Sequence, residues 1–209
     1  MRLSSARTRG RTPTVDDSHN ASPPAGGPSY SVGMADDDVA EGPRRRRVIE
    51  WDDPFETSRP AAGLAGIDYL QGLIDGTFPP PPMGRLMGMD LVEAEVGRAV
   101  FSCLPDESHY NTIGIVHGGL VCTLLDSAAG CAVQSTLPAG VGYTSIDLNV
   151  SYLRPLRQST GRITVEGRVL KPGRRVAFTE GRVTDAAGNL IATATSSLLV
   201  FPLDPPAAS

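Results

Sequence analysis

The chain has 209 residues, of which 40% are hydrophobic and 20% charged, with a formal net charge of -4. That length suits one ordinary domain with tails. The mildly acidic balance offers no global field for nucleic acid or an anionic membrane, and no apolar run approaches the ~20 residues a bilayer span needs.

Residues 1–48 are rich in Ser, Pro, Gly, Arg and Asp and hold a single aromatic, Tyr30. Such a segment cannot bury enough apolar surface to fold alone and is expected to be a disordered tail. It is basic at its start but has no apolar segment, so a secretory signal is not expected. The run Arg44–Arg47 reads as part of a solvated tail. A folded domain is expected over 49–203, followed by a C-terminal tail over 204–209. The three cysteines, Cys103, Cys122 and Cys131, read as reduced core thiols in a cytoplasmic protein. Cys122 and Cys131 are too far apart on a helix, about two and a half turns, to form a disulfide.

In chain order, "AGIDYLQGLID" (65–75) sets Ile67, Leu70, Leu73 and Ile74 at helical spacing. "GTFPPPPMG" then breaks the helix, and its proline run reads as a rigid extended spacer or lid. Met89–Leu104 alternates around Gly97, as a hairpin does. Residues 117–137 read as one helix with apolar or small side chains on nearly every face, hence a buried helix. Pro138 and Gly140 end it. In "TSIDLNVSYL", Ile146, Leu148, Val150 and Tyr152 alternate with Ser145, Asp147, Asn149 and Ser151, a half-buried strand. "GRITVEGRVLK" repeats the pattern with Ile163, Val165 and Val169 inward. Turns at Pro172–Gly173 and Ala187–Gly188–Asn189 separate two further strands, about 174–184 and 190–201. Hairpin, buried helix and four strands joined as an antiparallel meander predict an α+β layer design.

Several of these residues resemble a known family. Asn111, Gly114, His117–Gly118–Gly119, Asp126 and "TSIDLNVSYLRP" (144–155), continued by "GRRVAFTEGRVTDAAGNLIATATS", are similar to the hotdog-fold acyl-CoA thioesterases of the phenylacetate-degradation (PaaI-like) branch. The resemblance covers about residues 65–201. It implies a hotdog fold, a curved antiparallel sheet wrapped around one long central helix. It also implies hydrolysis of an aromatic or medium-chain acyl-CoA to free acid and CoA. Two rival readings are a hotdog dehydratase or hydratase acting on 3-hydroxyacyl thioesters and a non-catalytic acyl-CoA binding module.

The residues carry a chemical reading of their own. Thioester hydrolysis needs donors for the oxyanion, a nucleophile or base, and a dry pocket. Gly118 and Gly119 open the helix, where backbone N–H groups are unpaired and the dipole is positive. Without side chains, both allow a carbonyl oxygen to approach. The resemblance implies the Gly118 amide as main oxyanion donor, with the Asn111 side chain beside it. Asp126 lies in an apolar helix, where an unpaired carboxylate costs several kcal/mol. The resemblance implies that it attacks the thioester carbon or activates a water, with Ser145 helping to hold the nucleophile or water. His117 is expected to cap the helix, with a general acid–base role as the alternative. Spacings of eight and nine among His109, His117 and Asp126 match no zinc pattern, so no metal and no redox cofactor are expected. Basic residues are candidates for the CoA phosphates: Arg154 in "YLRP", and Lys171, Arg174 and Arg175 flanking the Pro172–Gly173 turn.

Gly118 and Asp126 are eight residues apart, hence about 12 Å apart along a helix axis. A thioester carbonyl must touch both, each at about 3 Å. Two subunits on a two-fold axis can present one group each. A homodimer with its sites at the interface is therefore expected, and the resemblance extends this to a tetramer.

Overall fold

A helix that is apolar on nearly every face needs cover on every side, and the arrangement of strands follows from that need. The computed structural model describes residues 44–203. Of the expected tail over 1–48, residues 1–43 lie outside the described residues, as does the stretch 204–209; residues 44–48 carry no secondary structure, and Arg47 Nη1 donates to Ser108 Oγ at 3.1 Å. All elements belong to the unit that begins at Arg47. Short helices come first: α1 (Pro54–Ala61), α2 (Gly66–Ile74) and α3 (Pro82–Met87). The hairpin β1 (Met89–Glu95) and β2 (Arg98–Cys103) follows, then the long helix α4 (Gly118–Gln134). The chain closes with β3 (Val141–Tyr152), β4 (Ile163–Lys171), β5 (Val176–Asp185) and β6 (Leu190–Pro202).

The strands form one six-stranded sheet in the order β1-β2-β4-β5-β6-β3, antiparallel throughout. Helix α4 packs against it, touching β2, β3, β4 and β5. This is the hotdog arrangement, an α+β fold. Leu124, Leu125, Ala128, Ala132 and Val133 of α4 are fully buried, as are Ile163, Val165, Val183 and Leu198 of the sheet. Each large side chain so removed from water contributes roughly 1.5–3 kcal/mol.

The expected meander holds only for β4, β5 and β6. Strand β3 pairs with β6 at the far edge, and β4 returns beside β2. The intervening segment 153–162 crosses the start of α4, where Leu156 is buried and its carbonyl accepts the Val116 N–H at 3.0 Å. Helices α1 and α3 were not anticipated. The proline run is extended only up to Pro81, and Pro82 then opens α3. Proline suits a first helical turn because its missing N–H has no partner there in any case.

A second departure sits in β3. Ser145 pairs with Leu198 and Asp147 with Ser197, so Ile146 is an inserted residue, a β-bulge. Ile146 is 57% exposed, against the expectation of an inward face. A bulge switches the parity of alternation. Tyr143 and Ser145 face α4 before it, and Leu148, Val150 and Tyr152 do so after it.

Candidate active site

The first turn of α4 is held open by its cap. His117 has extended backbone angles, and its Nδ1 accepts the Gly119 N–H at 2.8 Å. Its carbonyl accepts the Leu120 N–H at 3.1 Å, and its own N–H donates to the His109 carbonyl at 2.7 Å. His117 thus caps the helix, as its position led us to expect. Among the described residues, no hydrogen bond uses the Gly118 N–H. That amide carries the partial positive charge of a helix start, and Gly118 lines a cavity of about 450 Å³. Asn111, His117, Gly119, Tyr152 and Arg154 line the same cavity.

Asn111 is fixed by its loop. Its Oδ1 accepts the N–H groups of Ile113 at 3.1 Å and Ile115 at 3.3 Å. The carbonyl oxygen is therefore spent on the backbone, which leaves the Nδ2 group as the donor Asn111 can offer to a ligand.

Two turns down the same helix, Asp126 is half-buried rather than enclosed. Ser145 Oγ donates to its Oδ1 at 2.7 Å. The bulge at Ile146 makes this contact possible, because unbroken alternation would place Ser145 on the face that carries Leu148 and Val150 only after a register flip. Burial pushes the Cys131 thiol up to about 12, and the charge of Asp126 adds to that. Burial likewise raises Tyr143 well above its ordinary value, with Cys131, Asp126 and Tyr69 adding.

A second cavity, of about 590 Å³, reaches Ser127, the residue after Asp126, but is not lined by Asp126 itself. Ser127, Cys131 and Gln134 of α4 form its floor, with Tyr143 of β3. Leu70 and Leu73 of α2, Phe78 and Pro79–Pro81 wall it on the other side. The proline run is thus a wall of this cavity.

The candidate phosphate contacts fall into two groups. Arg154 stands with Gly118 and Asn111 at the start of α4. Gly173 and Arg174 line a different cavity with Val133 and Leu137 at the other end of the helix, and Lys171 ends β4 on that side. One subunit therefore does not gather Arg154, Lys171, Gly173 and Arg174 into a single cradle. Gly173 has a structural reason of its own, since a Cβ there would run into the Val176 carbonyl.

His109 and His117 are both engaged in the loop. His109 Nδ1 accepts the Asp106 N–H at 3.0 Å. Among the described residues, no three His, Cys, Asp or Glu side chains are grouped to hold a metal ion. Sequence reasoning overlooked Tyr152, whose hydroxyl touches Gly118 and Cys122. The signal was available: Tyr152 shares the parity of Leu148 and Val150, which face the helix.

Comparison with known proteins extends these observations. The family model "Thioesterase superfamily" matches residues 113–192, which include Gly118, Asp126 and Ser145. Acyl-coenzyme A thioesterase 13 of Homo sapiens is 36% identical over 110 residues, which is 52% of this chain and 77% of the relative. Medium/long-chain acyl-CoA thioesterase YigI of Escherichia coli is 31% identical over 134 residues, 57% of this chain and 85% of the relative. Among solved structures, a phenylacetic acid degradation-related protein from Ralstonia eutropha superposes with a TM-score of 0.57 at 26% identity, covering 63% of this chain and 98% of its own.

Proposed function

The chain belongs to the thioesterase superfamily, and from that premise we propose that it hydrolyses acyl-CoA thioesters at sites shared between two subunits. The overall reaction is acyl-CoA plus water to free acid plus CoA. The observation that carries the mechanism is the unpaired Gly118 N–H at the start of the same helix that holds the Asp126–Ser145 pair. Along that helix the two lie about 12 Å apart, so the oxyanion donor of one subunit works with Asp126 of the partner subunit.

In this site the thioester carbonyl oxygen accepts the Gly118 N–H, with Asn111 Nδ2 alongside. Negative charge that develops on that oxygen is met by donors already in place. Asp126, oriented by Ser145, attacks the carbonyl carbon directly or takes a proton from the attacking water. In the first route the C–S bond breaks to leave an acyl–Asp126 anhydride, which water hydrolyses to the free acid, its proton going to the departing thiolate; in the second the water's oxygen joins the carbonyl carbon, the C–S bond breaks, and the proton taken by Asp126 passes to the sulfur. No electrons are exchanged and the donors are protein groups, so the reaction draws on no metal or redox cofactor. The cavity walled by Leu70, Phe78 and the proline run suits the acyl group, aromatic or medium-chain. Arg154 is placed to meet the CoA portion.

Two features support the dimer. Strand β3 has a partner on one side only, and an uncovered edge of this length is a liability that a second copy removes. Ile146 and Tyr152 on that edge are exposed in the single subunit. The 3-hydroxyacyl dehydratase reading needs a free histidine near an acid, whereas His117 Nδ1 is committed to the Gly119 amide. A pure binding module has no use for an aligned Asp126–Ser145 pair. Among the described residues no helix is long and apolar enough to cross a membrane, and three free cysteines fit a cytoplasmic setting.

A thiol-release assay over a panel of acyl-CoAs tests the reading. Saturable release with aryl or medium-chain substrates is expected. Binding of acyl-CoA without any release would overturn it in favour of a binding module.

A further inference from the structure

Residue 118 is held from two directions, and only one of them belongs to the helix cap. On the other side stands Tyr152, near the end of the edge strand β3. Its hydroxyl donates to the Gly118 carbonyl at 2.9 Å. The same oxygen lies 2.9 Å from Cys122 Sγ, one turn further along α4. Because the phenol proton is spent on the carbonyl, the thiol is the donor in this second bond. The chain of donors runs from Cys122 to Tyr152 to Gly118. The ring also covers the α-carbon of Gly118. A Cβ built there would stand 2.9 Å from the hydroxyl oxygen and 3.1 Å from Cζ.

The two peptide groups of Gly118 thus have different fates. Its carbonyl is pinned by Tyr152, while its N–H has no partner among the described residues, in a residue that lines the cavity. We propose that Tyr152 is a positioning residue, which locks Gly118 against rotation so that its N–H keeps its aim at the oxyanion. The proposal rests on the reading of Gly118 as oxyanion donor. The hydroxyl does not polarise that N–H, since it bonds to the other peptide group. Its effect is geometric. Such an effect appears in the transition state, where the oxygen must be met at about 3 Å, far more than in ground-state binding. Burial and the neighbouring Cys122 push the Tyr152 phenol up to about 12, so it keeps its proton at neutral pH.

The test compares Tyr152→Phe and Gly118→Pro, each assayed for acyl-CoA hydrolysis and for melting temperature. Tyr152→Phe keeps the ring and removes the bond to Gly118. It should lower kcat by about 10-fold, with KM within about two-fold and the melting temperature little changed, because small misplacements of catalytic groups are costly. A Tyr152→Phe enzyme with unchanged kcat overturns the proposal. So does a fall in KM-dependent binding or melting temperature that accounts for the lost rate, since that is a packing role. Gly118→Pro separates the two levels, because proline suits a first helical turn yet removes the N–H itself. If it turns over normally while folded, the oxyanion reading itself fails. If it is inactive while Tyr152→Phe is fully active, only the positioning role fails.

Discussion

Asp126 and Ser145 make the most direct claim at the scale of single residues. Asp126→Asn keeps the shape of the side chain and the bond to Ser145, but removes the charge needed to attack or to accept a proton. Turnover should fall by at least about 10²-fold with near-normal affinity, as is typical when a catalytic group is lost. Steady-state kinetics checks this, and near-wild-type kcat would remove Asp126 from the chemistry. Ser145→Ala deletes the 2.7 Å hydrogen bond that orients the carboxylate. A smaller loss in kcat, about 10-fold, is expected, with recovery in Ser145→Thr. The cysteines allow a prediction with a definite sign. Burial pushes the Cys103 thiol up to about 11 and the Cys131 thiol up to about 12. Both hold their protons more tightly in the folded chain than their ordinary value of 9.0. Their stability contribution is therefore full below about pH 9 and is lost as pH rises toward 11 and 12, where the unfolded chain has already released those protons. Urea midpoints should fall from about pH 8 to about pH 10 more in the native protein than in a Cys131→Ala variant. Equal slopes would mean that this thiol is not masked.

Among elements, the seating of α4 on the sheet decides whether the site exists. Gly167 of β4 and Gly181 of β5 are paired across the strands. A Cβ at Gly167 would strike the Ala128 carbonyl of α4, and one at Gly181 would come within 2.8 Å of Leu125 Cδ2. This pair of glycines lets the helix lie close to the sheet. Gly167→Ala should cost about 1–3 kcal/mol, the usual range for overpacking a core. It should also depress activity, because the helix carries both Gly118 and Asp126. Denaturant unfolding measures the first effect, and an unchanged midpoint would show that the helix can shift freely. Much of this architecture was legible in the sequence. The long helix declares itself by apolar side chains on nearly every face, and the hairpin and β4–β6 by alternation between glycine turns. The bulge at Ile146 was not legible, because it depends on how β3 matches the register of β6, a partner fifty residues away in the chain. The far-edge place of β3 was hidden for the same reason: pairing between distant strands leaves no local pattern. For the candidate site, Gly118 and Asp126 could be singled out because glycine and a carboxylate are out of place in an apolar helix, His117 by its place just before that helix, and Asn111 through the family resemblance. Tyr152 was legible as a helix-facing residue by its parity with Leu148 and Val150, but its contact with Gly118 was hidden, because it joins two segments far apart in the chain. The division of the basic residues between the two ends of α4 was hidden as well, because the sequence does not show which helix end a turn approaches.

For the whole molecule, the central claim is that one subunit is half of two sites. The subunit has a mass of 22.0 kDa, so sedimentation should give at least twice that value. A stable, active monomer would rule out sharing. The most direct measurement is complementation between two inactive chains. One carries Asp126→Asn and keeps its Gly118 amide; the other carries Gly118→Val, which blocks the amide and collides with Tyr152, and keeps Asp126. Each homodimer should be inactive. After reversible dissociation and mixing, a mixed dimer holds one site with both defects and one with neither. Shared sites predict that activity rises toward half of the native value per mixed dimer, in step with the fraction of mixed dimers measured by mass. If mixed dimers form and no activity returns, Gly118 and Asp126 do not act across the interface, and the account given for this enzyme is wrong.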